Sequence, residues 1–480
     1  MSHRTGPRRR GRVLTQLACV VAVMVGLGAT CAPAGAIGPP TIDEGALGAA
    51  LAINAKGGPP EVTEQRSICA EPSLAGSPPR EAPEGQRLLD LPAAWQFSRG
   101  AGQKVAVIDT GVNRHPRLPA LQPGGDFVSD SDGTSDCDGH GTIVAGLIAA
   151  RPSLDDGFAG VAPEAEILTI RQLSAAYEAK DRATNNDVPG KITSAGYGTV
   201  LTLAAAVVRA VDLGATVINI SEVACAPVGV NPSDGALGAA VKYADDRNVV
   251  VVAAAGNLSQ NGSCDGQNEG TGWGAVRTTV SPAWFSPYVL AVASIDANGA
   301  PSEFSLGGPW VGVAAPGRNI VSLDSRPGGT GLVDSQQTSE GTGTIDGTSF
   351  ATAYVSGLAA LVRSRFPELS ARQVVDRIAA TAHAPGNGRD DRIGHGLIDP
   401  LAALTAQLPE SPISAGADVA RRIPPPAEPP YVDPAPRRVA TIGSIALLAL
   451  LGIGYALSIP YRRERDRDVD PAAGDSGEGQ

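Results

Sequence analysis

Lysine is scarce in this chain: five lysines stand against thirty-three arginines in 480 residues. With 59 glycines and 39 prolines, that bias is the one a GC-rich bacterial genome imposes. No basic block interrupts the body of the chain and the net charge is −11, which excludes nucleic acid as a partner. No internal repeat is present, which excludes a repeat array. The aspartates of "SDSDGTSDCDGH" lack the spacing and the terminal Glu of an EF-hand loop, so that stretch is expected to be a solvated loop and no metal site is predicted. Neither Cys19 nor Cys31 has Leu three positions before it, which excludes a lipoprotein cleavage site. Long uncharged apolar runs are also missing, except for one near each end.

The first of these, from Val13 to about Thr30, follows Arg4, Arg8, Arg9, Arg10 and Arg12 and precedes the small-x-small pattern Ala34-Gly35-Ala36. Residues 1–36 therefore carry the pattern of a secretory signal peptide. Four cysteines remain after its removal, Cys69, Cys137, Cys225 and Cys264, and in an exported chain four cysteines predict two disulfides. The second run, residues 439–459, is long enough as a helix to cross a bilayer at about 1.5 Å per residue. Arg437 and Arg438 precede it, and Arg462, Arg463 and Arg465 follow, so positive charge alone does not orient it. The signal peptide does. The body is expected outside the cell membrane, with residues 460–480 as a cytoplasmic tail.

Between these ends the composition changes three times. Residues 37–92 are rich in Pro, Gly and Glu with few large apolar residues, and predict an extended arm that wraps a neighbouring domain without a core of its own. Residues 93–408 alternate short apolar runs with helical stretches, the pattern of an α/β fold with an open, mostly parallel sheet and helices on both faces. Strands are predicted at 104–108, 165–170, 216–220, 249–254 and 289–293, and helices starting near His140, Thr199, Ser233, Ser349 and Ser370. One connection, 171–198, is long and polar without a period, as functional or mobile loops are. Residues 409–438, ending in "RRIPPPAEPPYVDPAPRR", form a stiff proline-rich linker.

Four segments of the α/β region end in groups that can do chemistry. "KVAVIDTGV" carries Asp109 out of a buried strand into a turn. "DGHGTIVAGLIAA" sets His140 between two glycines at the start of a small-residue helix. "VVVVAAAGN" delivers Asn257 from a fully buried strand, and "IDGTSFATAYVSG" puts Ser349 at a helix start. Each alone has a plain structural reading: a turn, a buried histidine, a strand end, an N-cap serine. In an open α/β sheet, however, ligands bind at the carboxyl edge of the strands. There a hydroxyl, an imidazole, a carboxylate and an amide form the set that a serine nucleophile requires.

"VAVIDTGV", "HGTIVAG", "GVAPEAEI", "AAAGN" and "GTSFATAYVSG", in that order, resemble the subtilisin-like serine proteases over residues 102 to about 402. The signal peptide, proline-rich arm, long loop, proline-rich linker and C-terminal span together are similar to the mycosins, membrane-anchored proteases of type VII secretion systems. The resemblance implies Ser349 as nucleophile, His140 as base, Asp109 as its orienting carboxylate and Asn257 as oxyanion donor, with Ser221, Glu222, Ala254 and Gly256 lining the substrate cleft. It implies protein substrates, a type VII secretion membrane complex as partner, no cofactor and no metal. An alternative from another class is a structural component of such a complex with dispensable protease activity.

Two residues depart from the family pattern. Ala353 stands where a proline is usual four residues after the serine, and a kink-free helix start is compatible with catalysis. Glu222 stands where many relatives have a small, glycine-rich edge for pairing substrate as an added strand, so it is expected to narrow the cleft or to select the residue before the scissile bond. Four cysteines allow three connectivities. Cys225 and Cys264 each follow a parallel strand at one sheet edge, which favours Cys225–Cys264 and Cys69–Cys137, the latter pinning the arm beside His140. The His140 pKa is expected at about 6 to 7.

Overall fold

Runs of Val, Ile and Ala bounded by turn residues fit a pleated, doubly covered surface. The computed structural model describes residues 37–181, 196–259, 264–338, 341–408 and 435–465. The predicted signal peptide, residues 182–195 of the 171–198 loop, the linker up to residue 434 and the tail beyond residue 465 lie outside the described residues. The chain divides into two units, residues 1–408 and 409–480.

The first unit is built on seven strands: β1 (Lys104–Asp109), β2 (Leu121–Asp126), β3 (Glu166–Arg171), β4 (Val217–Ile220), β5 (Val250–Ala254), β6 (Leu290–Ile295) and β7 (Val311–Pro316). Their order across the sheet is β7-β6-β5-β4-β1-β3-β2, and every neighbouring pair is parallel. Five coincide with predicted strands to within two residues at either end. The other two, β2 and β7, are the edges. "LQPGGD" and "VGVAAP" combine Gly and Pro in a way that reads as loop, and only an edge position tolerates it.

The main helices are α1 (Leu47–Lys56), α2 (His140–Ala149), α3 (Val200–Asp212), α4 (Gly235–Asp245), α5 (Thr348–Arg365) and α6 (Ala371–Thr381). Alternation along the strands splits the core in two. Val105, Val107, Val217, Val250 and Val252 face α2, α5 and α6. Ala106, Ile108, Ile218, Ile220 and Val251 face α1, α3 and α4. Thr199 and Ser370 close reciprocal capping boxes with Thr202 and Gln373, so both helix starts fall where the sequence places them. The other starts fall close to the expected positions: Asp234 precedes α4, and Gly347 precedes α5 without a side-chain cap, which leaves Ser349 inside its first turn with its side chain free of capping.

Residues 37–92 contain more regular structure than expected. α1 seats Ala50, which is fully buried, against α3 and α4, and Asn54 donates to Asp212 at 3.0 Å. This helix is half exposed and rich in alanine, so its apolar periodicity is weak in the sequence. Farther on, Thr63–Gln65 pairs antiparallel with Tyr177–Ala179, which gives the 171–198 connection a strand that its polar composition hides. Gln86 then reaches the Ala159 carbonyl at 2.6 Å, and Leu89 and Leu91 enter the core. Both expected disulfides are present, Cys69–Cys137 and Cys225–Cys264.

In the second unit, helix α7 (Ala435–Arg465) contains an 18-residue stretch, Ala440–Leu457, that is long and apolar enough to cross a membrane. It extends beyond the predicted 439–459 at both ends.

The Cys69–Cys137 link spans 68 residues of chain. Cys69→Ser should lower stability by about 2–4 kcal/mol in denaturant titration. Non-reducing peptide maps should join Cys69 to Cys137. A peptide joining Cys69 to Cys225 or Cys264 would overturn the pairing.

Candidate active site

The order of the strands creates a switch point. From β1 the chain builds β2 and β3 on one side, then β4 to β7 on the other, so the carboxyl ends of β1 and β4 part at the centre of the sheet. Asp109 is the last residue of β1, Ser221 follows β4, and Gly256 and Asn257 follow β5. Glycine admits α2 to this point. A Cβ on Gly141 would stand 2.1 Å from the Gly111 carbonyl oxygen, and Gly139, at φ +80°, turns the chain into the helix where a Cβ would meet Ser325 Oγ at 2.5 Å.

Asp109 is fully buried, and its Oδ1 lies 2.7 Å from His140 Nδ1. The same oxygen accepts the Thr110 amide at 2.8 Å. A carboxylate only accepts, so Nδ1 carries the hydrogen and Nε2 offers its lone pair to the cleft. Phe350 packs on the imidazole with ring centroids 5.2 Å apart. Burial alone would lower the His140 pKa. The charge and hydrogen bond of Asp109 overcome it, with Glu222 and Asp136 adding to them, and the imidazole stands above its ordinary value. The expected value of about 6 to 7 is therefore corrected upward, chiefly because Asp109 is fully buried against the ring, with a second carboxylate beside it: Glu222 Oε1 lies 3.7 Å from His140 Nδ1.

The Ser349 hydroxyl is nearly buried and donates to the Ser221 carbonyl at 3.1 Å. Its backbone N–H lies in the first turn of α5, where no intrahelical acceptor exists. Asn257 Oδ1 accepts from both the amide and the hydroxyl of Thr348, each at 3.0 Å. With its oxygen committed to α5, the Asn257 amide nitrogen is the half that faces the cleft. His140, Ser221, Glu222, Gly256, Asn257 and Ser349 line one cleft. Ala254, expected there, is buried at the end of β5 behind the cleft wall. Ala353 is buried within an α5 that runs unbroken from Thr348 to Arg365.

Three positioning residues escaped the sequence reading. Thr348 orients Asn257. Thr110 accepts the Gly141 amide at 2.9 Å, tying the end of β1 to the start of α2. Asp136 takes the Gly139 amide at 2.7 Å and the Thr142 amide and hydroxyl at 2.9 and 2.6 Å, and burial pushes its carboxyl up to about 6 against these hydrogen bonds. Only its spacing of four before His140 could have hinted at this, since that spacing lets a side chain reach back over a helix N-terminus.

An open parallel sheet with Asp, His and Ser converging in that chain order at its carboxyl edge is the arrangement of a subtilisin-type serine hydrolase. The subtilase family profile matches residues 100–396. Mycosin-1 of Mycobacterium tuberculosis is 48% identical over 435 residues, covering 88% of this chain and 95% of that one. The crystal structure of MycP1 from Mycobacterium smegmatis superposes with a TM-score of 0.72 at 46% identity, covering 78% of this chain and 97% of that one. A chain of an intact ESX-5 inner membrane complex does so with a TM-score of 0.72 at 40% identity, covering 88% and 100%. The chain belongs to the subtilase family and, within it, to the mycosins; it is a subtilisin-like serine endopeptidase.

A base that holds its proton to higher pH is active at higher pH. kcat/KM should therefore rise with pH through a midpoint above about 6.5, the ordinary imidazole value. Glu222→Gln should move that midpoint down, since the carboxylate no longer favours imidazolium. A profile flat down to about pH 4 would contradict a histidine base. Asn257→Ala should cost about 10²–10³ in kcat, measured under saturating peptide.

Proposed function

We propose that Ser349 attacks the peptide carbonyl while His140 Nε2 takes its proton and later delivers it to the leaving amine. Asp109 holds the tautomer and stabilises the imidazolium. The Asn257 amide and the Ser349 N–H receive the developing oxyanion. The observation that carries this reading is the 2.7 Å Asp109–His140 bond opening on a cleft shared with Ser349 and Asn257. That the Ser349 hydroxyl rests on a carbonyl is compatible with it, because such contacts tighten only with substrate bound. A serine-directed fluorophosphonate should label the protein and fail to label Ser349→Ala, whose kcat should fall roughly 10⁶-fold. Equal labelling of both, or of neither, would remove Ser349 as the nucleophile.

The reading extends to location. Residues 1–36 direct export, 37–92 stay with the mature protein, 93–408 are the catalytic domain, 409–438 a spacer, 439–459 a single membrane span and 460–480 a cytoplasmic tail. The catalytic domain works on the extracytoplasmic side of the cell membrane. Its substrates are exported proteins of a type VII secretion system, and the chain is itself a component of that membrane complex. The likeness to a chain of the ESX-5 inner membrane complex supports this, as does a helix long and apolar enough to cross a membrane. Tethering fixes the local concentration of protease near the exit.

Catalysis and assembly separate experimentally. Ser349→Ala should abolish trimming while export continues, and truncation before Val439 should impair export itself. Matched-expression export assays decide the matter: equal loss in both variants would make catalysis the requirement, and normal export by the truncated form would remove the assembly role.

A further inference from the structure

Among the described residues Glu222 has no lysine or arginine partner, and its one cationic neighbour, His140, has to give up its charge to act as the base. Its side chain is only 24% exposed, and the charged groups facing it are His140, Asp109 and Asp138, with no lysine or arginine among them. Asp346, the other carboxylate on the cleft, is already engaged: it accepts the Asn319 amide at 2.8 Å and lies 3.7 Å from Arg318. With His140 neutral, a largely buried carboxylate without a partner is costly, and removal of its charge or arrival of a cation relieves it. In keeping with this, burial pushes the Glu222 carboxyl above the usual range, with Asp109 and Asp138 adding to the shift and His140 opposing it.

Where a substrate side chain would meet Glu222 follows from the pleat. A substrate carbonyl at Asn257 and Ser349 would bring the residues before the scissile bond alongside Ser221, Glu222 and Gly256, which line the same cleft. Successive side chains of an extended substrate alternate in direction, so if the first is directed away from the imidazole the second is directed toward it, where Glu222 Oε1 lies 3.7 Å from His140 Nδ1.

We propose that Glu222 makes this protease select a positively charged side chain, Arg or Lys, at the second residue before the scissile bond. The inference rests on the roles assigned to Ser349 and His140. The pairing has a second consequence at the base. A substrate cation neutralises the carboxylate 3.7 Å from His140 Nδ1, so the imidazole gives up its proton more readily when that cation is bound. Glu222 thereby selects the substrate and eases the base into its working form.

The test uses the full-length protein in detergent and four peptides that differ only at this position, carrying Arg, citrulline, Leu or Glu. The parent should favour Arg over citrulline, its neutral isostere, by about tenfold or more in kcat/KM. Glu222→Gln should bring that ratio close to one, Glu222→Asp should keep most of it, and Glu222→Lys should favour the Glu peptide. A parent ratio near one, or a ratio that survives Glu222→Gln, would overturn the proposal. Fluorophosphonate labelling of Ser349 in every variant distinguishes a lost preference from a lost fold. A labelled parent without discrimination defeats the selection by Glu222 alone. An unlabelled parent brings down the assignment of Ser349 and this inference with it.

Discussion

The hydrogen bond between Asp109 and His140 is the constraint from which the rest of the site is arranged. A carboxylate at the end of a central strand, excluded from water, is costly unless its charge is compensated. His140 and Thr110 use one oxygen directly. Thr110 in turn is fixed by Asp136, whose carboxylate also collects the amides at the start of α2. The strand end and the helix start are thus one hydrogen-bonded unit, and the disulfide at Cys137 ties that unit to the arm at Cys69. Distortion in any of these members would be felt as a change in imidazole position, where about 1 Å can cost a hundredfold in rate.

The other half of the site is built by a different device. α5 is buried through most of its length beneath the sheet, so its first turn is fixed in space by the core rather than by a cap. From that rigid start Thr348 orients Asn257, and Ser349 presents its hydroxyl and amide together. Two independent frames, the β1–α2 unit and the β5–α5 unit, therefore meet across the cleft. Preorganisation of this kind is what makes fixed dipoles effective on a charge that exists only in transit.

The arm belongs to the same architecture. α1 completes the covering of one sheet face, the short strand at Thr63–Gln65 extends another element, and Leu89 and Leu91 contribute to the core under the other face. A segment that buries its apolar residues at three separate places gains little from folding alone and much from staying in contact. That is the physical difference between an integral wrap and an independent pro-domain.

Much of this was legible in the sequence because it is local. β1, β4 and β5 announce themselves as short Val and Ile runs, and the segments that end in Asp109, His140, Asn257 and Ser349 carry their glycines and small residues at contact distances that any such fold must respect. Thr199 and Ser370 mark their helices by capping chemistry that acts within four residues. What sequence alone left open depends on groups far apart in the chain. β2 and β7 are strands because an edge tolerates Pro and Gly. α1 is a helix because α3 and α4 offer it a seat. The Glu222 side chain, seen in sequence only as a departure, comes to lie 3.7 Å from an imidazole 82 positions earlier, where its charge adds to that of Asp109 in raising the pKa of the base. Residue types and local periods determine which elements form and which side chains can do chemistry. Burial and through-space charge, which exist only once the sheet has closed on its helices, decide how those side chains are oriented, protonated and matched to a substrate.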